Sequence, residues 1–268
     1  MRQDGIIAAL SLVTLAVLWA LAARLSADPM VLPSPGETAR VWWALALNGE
    51  LWRHVGATLW RVAIAFGLAM SLGSVVGIAL GRMPSLDRFF GPWVTVFLNL
   101  PALVVIVLCY LWIGLNETAA IAAVTLNKMA QVIVTLRDGT RANDPELDGM
   151  ARVFRMPFTA RMRHVVLPQL APFFAVAARN GLAMIWKIVL VVEFLGRSSG
   201  VGFKIHLHFQ NFQTAHVLAY ALTFVGVMLA VEYGIIQRWE RGANRWRGQD
   251  PQSGSETNLS RSRGAMGL

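Results

Sequence analysis

Six apolar runs separated by shorter polar segments divide the chain. Each is about 20 residues long, the length of a helix that crosses a bilayer, so the pattern predicts six transmembrane helices. The second run repeats Ala69, Gly73, Gly77 and Gly81 at intervals of four residues, and such small side chains let two helices approach closely in lipid. Pro101 removes a backbone hydrogen bond from the third run and predicts a kink there. The runs occupy residues 6–25, 57–81, 92–114, 118–136, 171–194 and 215–237.

These runs predict four regions. Residues 1–30 form an N-terminal transmembrane helix; the alternative is a cleaved signal peptide, but 20 apolar residues exceed the usual 7–15 of such a segment. Residues 31–56 form an amphipathic helix at the outer interface, which begins with a capping box at Ser34-Pro35-Gly36-Glu37. Residues 57–240 form a five-helix core. Residues 241–268, rich in Gly, Ser, Gln and Arg, form a disordered cytoplasmic tail.

Composition supports a membrane protein and sets its orientation. The chain is 56% hydrophobic and 15% charged, with a mean hydropathy of +0.52, whereas soluble domains carry about 25% charged residues. The net charge of +9 comes from residues spread over the segments between apolar runs, which argues against a nucleic-acid partner. Most of the arginines lie on the inner side if the N-terminus is inside, so both termini are predicted to be cytoplasmic. The single Cys109 allows no internal disulfide.

The densest group of arginines lies in residues 137–168, between the fourth and fifth runs. Asp144-Pro145-Glu146 predicts the start of a short helix that ends before Pro157. A second short helix, over residues 158–166, leads into the fifth span. The first helix either rests on the inner leaflet or inserts into a groove of a cytoplasmic partner. Four of its apolar residues are predicted to share one face: Leu147, Met150, Ala151 and Phe154.

Polar side chains inside the predicted spans are costly in lipid and are therefore candidates for function. Arg179, Glu193 and Glu232 are candidates for ion pairs between helices, for example Arg179 with Glu232. A cationic lining lowers the barrier for an anion, so lysines within spans suggest a translocation path. The path candidates are Asn99, Lys128, Gln131, Asn180 and Lys187.

No recognisable catalytic set is present in the sequence. It contains no GxxxxGK[ST] phosphate loop and no HExxH pair, so no enzymatic activity, metal site or cofactor is predicted for this chain. His206-Leu207-His208 is interpreted as part of a solvated loop. A self-contained secondary transporter that uses Lys128 and Glu193 as ion-coupling groups is the alternative to a permease subunit.

Several segments resemble permeases of binding-protein-dependent, ATP-binding-cassette importers, in the nitrate, sulfonate and taurine branch. The resemblance covers roughly residues 30–245. The family's loop carries Glu-Ala-Ala, then a glycine, then a closing Leu-Pro. In this chain Gly149-Met150-Ala151 stands at the first position, Arg155 at the glycine and Val166-Leu167-Pro168 at the end. The other segments occur in the family's order: Leu32-Pro33-Ser34-Pro35, His54 to Arg61 (HVGATLWR), Asn99-Leu100-Pro101, Val192-Glu193 and Gly200-Val201-Gly202.

The resemblance implies an all-α integral membrane protein with a MetI-like permease fold in the cell inner membrane. It implies a homodimer of permeases, two ATPase subunits that use ATP and Mg, and an extracytoplasmic solute-binding protein that delivers a small anion. Residues 196–213 are a candidate contact for the binding protein; the alternative is a re-entrant helix that lies at the outer interface. The loop helix becomes a coupling helix that docks on the ATPase through Leu147, Asp148, Met150, Ala151, Phe154 and Arg155.

Overall fold

The computed structural model describes residues 2–26, 28–231 and 234 and contains only helices and connecting turns there. Glu232 and the predicted tail 241–268 lie outside the described residues. In chain order the described helices are α1 (Arg2–Ser26), α2 (Pro35–Leu47), α3 (Glu50–Arg82), α4 (Pro84–Asn99), α5 (Ala102–Ile113), α6 (Glu117–Arg141), α7 (Pro145–Val153), α8 (Phe158–Arg161), a π turn (Met162–Val166), α9 (Leu167–Gly196), α10 (Val201–Gln210) and α11 (Thr214–Val231).

Four continuous helical stretches in the described residues are long and apolar enough to cross a membrane. They are Glu50–Arg82, Glu117–Arg141, Phe158–Gly196 and Thr214–Val231. Helices α4 and α5 reach that length only together, and they are bent by 99° at the predicted Pro101 break. The apolar part of α1, Leu10–Ser26, is shorter. The structure thus gives four spans, or five with the bent pair, and does not confirm the predicted six.

Helices α3 and α6 run parallel and in close contact along the predicted glycine stripe. Near their starts, Arg61 of α3 bonds Glu117 of α6; near their ends, a methyl group added at Gly81 would lie 2.6 Å from Cβ of Thr140. At Gly77 the added methyl would lie 2.7 Å from the carbonyl oxygen of Ile133. Only glycine permits this backbone approach, so the predicted close helix contact is confirmed.

Because α3 and α6 are parallel, the chain between them must return across the bundle. Helix α4 begins beside the end of α6, where Asp87 accepts hydrogen bonds from Arg137 at 3.3 Å and Arg141 at 2.5 Å. Helix α5 lies beside the far end of α9, where the Tyr110 hydroxyl donates to the carbonyl of Val192 at 2.9 Å. The bent pair therefore traverses the bundle. Helix α4 already begins at Pro84, in the polar segment between the second and third apolar runs.

Helix α9 runs antiparallel to α3 and α6. Its first turns place Phe173 against Gly139 near the end of α6, and its last turn places Glu193 against Arg61. We name the two ends of the bundle after their residues: the Glu193 end, where α3 and α6 begin, and the Asp148 end, where they finish. The predicted separate helix at residues 158–166 is continuous with α9. Pro168 therefore lies inside a continuous helix, two residues after the π turn Met162–Val166, where local departures from α geometry accommodate its missing N–H.

Helix α2 begins as its capping box predicts, with Glu37 N donating to Ser34 Oγ at 3.2 Å. It lies against α11, where the indole N–H of Trp42 donates to the Thr223 hydroxyl at 2.9 Å. In the same region Trp186 of α9 makes an edge contact with Phe224 of α11, with ring centroids 5.7 Å apart. These contacts attach α2 and α11 to the central helices.

We expect Gly77→Ala to destabilise the protein by about 1–3 kcal/mol, because its methyl group must displace the backbone of α6. Gly67→Ala is the matched control, since nothing lies within 4 Å of the methyl it adds to the same helix. Thermal unfolding in detergent measures both variants. Equal unfolding midpoints for the two variants would show that the close α3–α6 contact does not hold the bundle together.

Candidate functional site

A buried ion pair lies at the Glu193 end. Arg61 of α3 and Glu193 of α9 have side chains that are 3% and 0% exposed, and Arg61 Nη1 lies 2.6 Å from Glu193 Oε1. The remaining guanidinium nitrogens of Arg61 donate to Glu117 at 2.9 and 2.7 Å. The carbonyl and hydroxyl of Ser199 each accept a further hydrogen bond at 2.7 Å. Burial of the two charges is tolerated because each is paired and hydrogen-bonded.

The second oxygen of Glu193 connects α3 to the start of α10. It accepts hydrogen bonds from the Thr58 hydroxyl and from Gly202 N, both at 2.9 Å. Gly200 N donates to His54 Nδ1 at 3.0 Å. A methyl group at Gly200 would lie 2.2 Å from the Glu193 carboxyl carbon, and the φ of +113° also favours glycine. The segments HVGATLWR and Gly200-Val201-Gly202, distant in sequence, thus form one cluster.

Sequence reasoning named Glu193 as an ion-pair candidate but did not name its partner. Arg61 was visible only as the last residue of the HVGATLWR segment inside a predicted span, where a charge that remains in lipid needs a partner. The pair suggested for Arg179 involves Glu232, which lies outside the described residues. Arg179 itself is exposed on α9.

The structure brings together only two of the five path candidates. Lys128 is 2% exposed, donates to the side-chain oxygen of Gln131, and has no carboxylate within ion-pair distance among the described residues. Its Cε lies 3.2 Å from a methyl group added at Gly181 of α9. Asn99 is exposed at the end of α4. In this single-chain conformation Lys128 is enclosed rather than open to a path.

The other two candidates lie on an exposed stripe of α9. Asn180 and Lys187 are exposed, as are Val176, Met184 and Val191 at 48%, 50% and 41%. Their spacings of three and four residues place all five along one face. A mixed polar and apolar face of this kind on a central helix is unlike a surface made only for lipid.

The loop helix α7 begins as predicted and ends earlier. Glu146 N donates to Asp144 Oδ1 at 2.8 Å at its start, but the helix finishes at Val153, so Phe154 lies in the following turn. The four apolar residues predicted to share one face of α7 differ in their exposure. Ala151 is 2% exposed, whereas Met150 and Phe154 are 54% and 73% exposed and Leu147 is partly exposed. Ala151 packs inward and the larger apolar side chains point away from the bundle.

Asp148 holds α7 to the bundle. It pairs with Arg161 of α8 through two hydrogen bonds, one of them 2.9 Å from Nε, and Arg82 at the end of α3 lies 3.7 Å away. Arg155 adopts a φ of +48° just beyond α7. This left-handed conformation favours glycine, which accounts for the glycine at the equivalent position of the family pattern.

The His206-Leu207-His208 segment lies in helix α10 rather than in the predicted loop. His208 stacks on His216 of α11 with ring centroids 4.6 Å apart, and the Lys204 ammonium pairs with Glu50. Among the described residues no group of three or more His, Cys, Asp or Glu side chains is placed to hold a metal ion. These contacts pack α10 against α11 and α3.

Comparison with known proteins decides the family. The model of the family described as the inner membrane component of binding-protein-dependent transport systems matches residues 69–239. The chain belongs to this family. A Bacillus subtilis protein named as an aliphatic sulfonates transport permease, SsuC, is 30% identical over 217 residues, covering 81% of this chain and 78% of that protein. The taurine transport system permease protein TauC of Escherichia coli is 26% identical, covering 90% of each.

A solved structure supports the fold. A chain from the crystal structure of an amino acid ABC transporter with histidines matches with a TM-score of 0.60 and covers 75% of this chain and 97% of that chain. Its sequence identity of 19% limits the likeness to the fold. Together with the family match, it identifies the helical bundle as that of a membrane-spanning ABC transporter permease.

We expect Glu193→Gln to destabilise the protein by about 3–5 kcal/mol, because it removes one charge of a buried pair and leaves Arg61 under-compensated. Glu117→Gln removes a carboxylate that bonds the same guanidinium but is 48% exposed, and its effect is expected to be smaller. Thermal unfolding of the purified variants measures both. A larger loss of stability in Glu117→Gln than in Glu193→Gln would contradict the conclusion that Glu193 is the main partner of Arg61.

Proposed function

We propose that this chain is the permease subunit of an ATP-driven importer for a small anionic solute of the sulfonate class. Family membership supports the permease role, and the relatives named for aliphatic sulfonates and taurine support the solute class. The observation that carries the proposal is α7, which is clamped to the bundle and exposes large apolar side chains on its other side. A partner protein is needed to cover them.

The partner proposed for α7 is a cytoplasmic ATPase subunit, which uses ATP and Mg. Met150 and Phe154 provide the apolar contact, with Leu147 beside them. Asp148 transmits the movement of α7 to α3 and α9 through Arg82 and Arg161. By the positive-inside rule, the arginines gathered at the Asp148 end support a cytoplasmic position for that end of the bundle.

The translocation path is proposed to form between two copies of the chain. The exposed stripe of α9 faces the second copy and contributes Asn180 and Lys187, whose positive charge attracts an anion. Lys128 lies behind it, next to Gly181, and is bonded to Gln131. Lys128 reaches the solute when the bundle rearranges, and its lack of a carboxylate partner among the described residues leaves its charge available to an anion.

The Glu193 end is proposed to face the solute-binding protein. Helix α10 lies there and carries residues from the 196–213 segment. ATP binding closes the ATPases, moves α7 and rocks the paired bundles from inward- to outward-facing, which opens the path to a loaded binding protein. The Arg61–Glu193 cluster holds α3, α6, α9 and α10 together as one body during that movement.

We expect Met150→Asp and Phe154→Asp to abolish co-purification of the ATPase, because each places a charge in an apolar contact and weakens binding at least about tenfold. Phe212→Asp is the control, since Phe212 is 77% exposed just beyond α10, the helix that begins beside Glu193 at the other end of the bundle. Pull-down of the permease from native membranes measures the retained ATPase. Full retention by both loop variants would rule out docking through α7.

We expect Lys187→Gln to lower uptake of taurine, the test solute, by roughly tenfold, the effect of about 1.4 kcal/mol on the transport barrier. Lys187→Arg keeps the positive charge and is expected to retain most of the uptake. Proteoliposomes containing the assembled transporter and its binding protein provide the measurement. Equal uptake by the Gln and Arg variants would mean that the charge at this position does not act on the solute.

A further inference from the structure

A polar cleft lies between α7 and the bundle at the Asp148 end. Its volume is about 520 Å³, and it is bounded by the last residues of α3 and α6, by α7 and by α8. Its charged lining consists of Arg82, Arg141 and Arg161 together with Asp144 and Asp148. The lining therefore has one more positive charge than negative charges.

Both carboxylates of the cleft already have partners. Asp148 is bonded by Arg161 through two nitrogens. Asp144 accepts from Glu146 N at 2.8 Å and so caps the start of α7. The arginine at position 141 is also engaged, because its guanidinium donates to Asp87 at 2.5 Å.

Arg82 differs from the other arginines of the cleft. Its nearest carboxylate oxygen, in Asp148, is 3.7 Å away, which is beyond a normal hydrogen bond. No described residue lies within hydrogen-bond distance of its guanidinium, and its side chain is only 23% exposed. A guanidinium carries five N–H donors in a planar fork. Arg82 lines the cleft, and within the described part of the chain its donors have no hydrogen-bond acceptor.

We propose that the cleft is a binding site for an oxyanion, held between Arg82 and Arg161. The ligand class is a sulfonate, sulfate or phosphate group, whose oxygens accept paired hydrogen bonds from a guanidinium fork. The volume leaves room for such a group together with a short organic substituent or several waters. A cation is disfavoured there, because Asp148 is already bonded by Arg161 and Asp144 by the N–H of Glu146, and the charged lining is positive on balance.

The position of the site gives it a consequence for α7. Arg82 and Arg161 are two cations of the described part of the chain that lie next to Asp148, the residue that holds α7 to the bundle. An oxyanion between them competes with Asp148 for their charge and loosens that hold. The loosening of α7 rests on the proposed function, under which the site lies on the side where solute is released. The binding of the oxyanion itself does not rest on it.

Anion binding by the purified full-length chain in detergent tests the proposal. Sodium sulfate is titrated by calorimetry at constant ionic strength, which is maintained with chloride so that general charge screening does not change. We expect Arg82→Gln to weaken sulfate binding at least about tenfold, or roughly 1.4 kcal/mol. Arg88→Gln removes the same charge from an exposed position on α4, at the same end of the bundle, and is expected to bind like the wild type.

Further measurements keep the result interpretable. Arg82→Lys retains the positive charge but lacks the planar fork, so its sulfate affinity shows whether a loss of binding in Arg82→Gln comes from the loss of charge. Thermal unfolding of both variants shows whether either is misfolded. Nanodiscs of phosphatidylglycerol and of phosphatidylcholine are compared with phospholipid-free detergent to identify the source of the oxyanion, because a bound phospholipid headgroup weakens sulfate binding in the nanodiscs and not in the detergent. Equal sulfate binding by wild type and a folded Arg82→Gln, or no sulfate binding by the wild type, overturns the proposal.

The same titration on the permease–ATPase complex shows whether the cleft binds a small oxyanion or a carboxylate side chain of the partner protein. If the complex binds no sulfate while the isolated chain does, an acidic side chain of the partner fills the cleft, and the small-ligand proposal is overturned. Failure of the anion site leaves ATPase co-purification unaffected. Failure of the proposed function removes co-purification and leaves sulfate binding to the isolated chain intact.

Discussion

The glycine stripe of α3 brings its backbone against α6 from Gly73 to Gly81, and the course of the remaining chain depends on this contact. Two long parallel helices in contact require the segment between them to cross back, which the bent pair α4–α5 does. The same parallel arrangement places the starts of both helices at one end, where Arg61 meets Glu117. It places their ends at the other, where α7 attaches through Asp148 and Arg82.

Each end of the bundle has an ion pair, and the two pairs differ in how strongly they are buried. At the Glu193 end the ion pair is almost inaccessible to water and every donor of Arg61 is used, so separating the helices there exposes unpaired charge to a weakly polar environment. At the Asp148 end the corresponding pair is about one quarter exposed, and water substitutes more readily for it. Separating the helices therefore costs more at the Glu193 end than at the Asp148 end.

Local patterns in the sequence predicted local structure well. The cap at Ser34, the break at Pro101 and the start of α7 at Pro145 all appear where the pattern placed them, because each depends on residues within a turn of one another. The partnership of Arg61 with Glu193 joins residues 132 positions apart, and periodicity carries no information on it. The left-handed Arg155 was likewise recognisable only as a departure from the family's glycine.

The long helix that includes α9 connects the two ends mechanically. From Phe158 to Gly196 it runs for 39 residues, or about 58 Å at 1.5 Å per residue, from the loop that carries α7 to the turn beside Glu193. Arg161 ties its first turn to Asp148, and Glu193 ties its last turn to Arg61. The π turn at Met162–Val166 is a local change of helical pitch between the clamp and the span. Under the proposed function, a displacement of α7 would therefore reach α9 through Arg161 and this turn, and the cluster at Arg61 through Glu193.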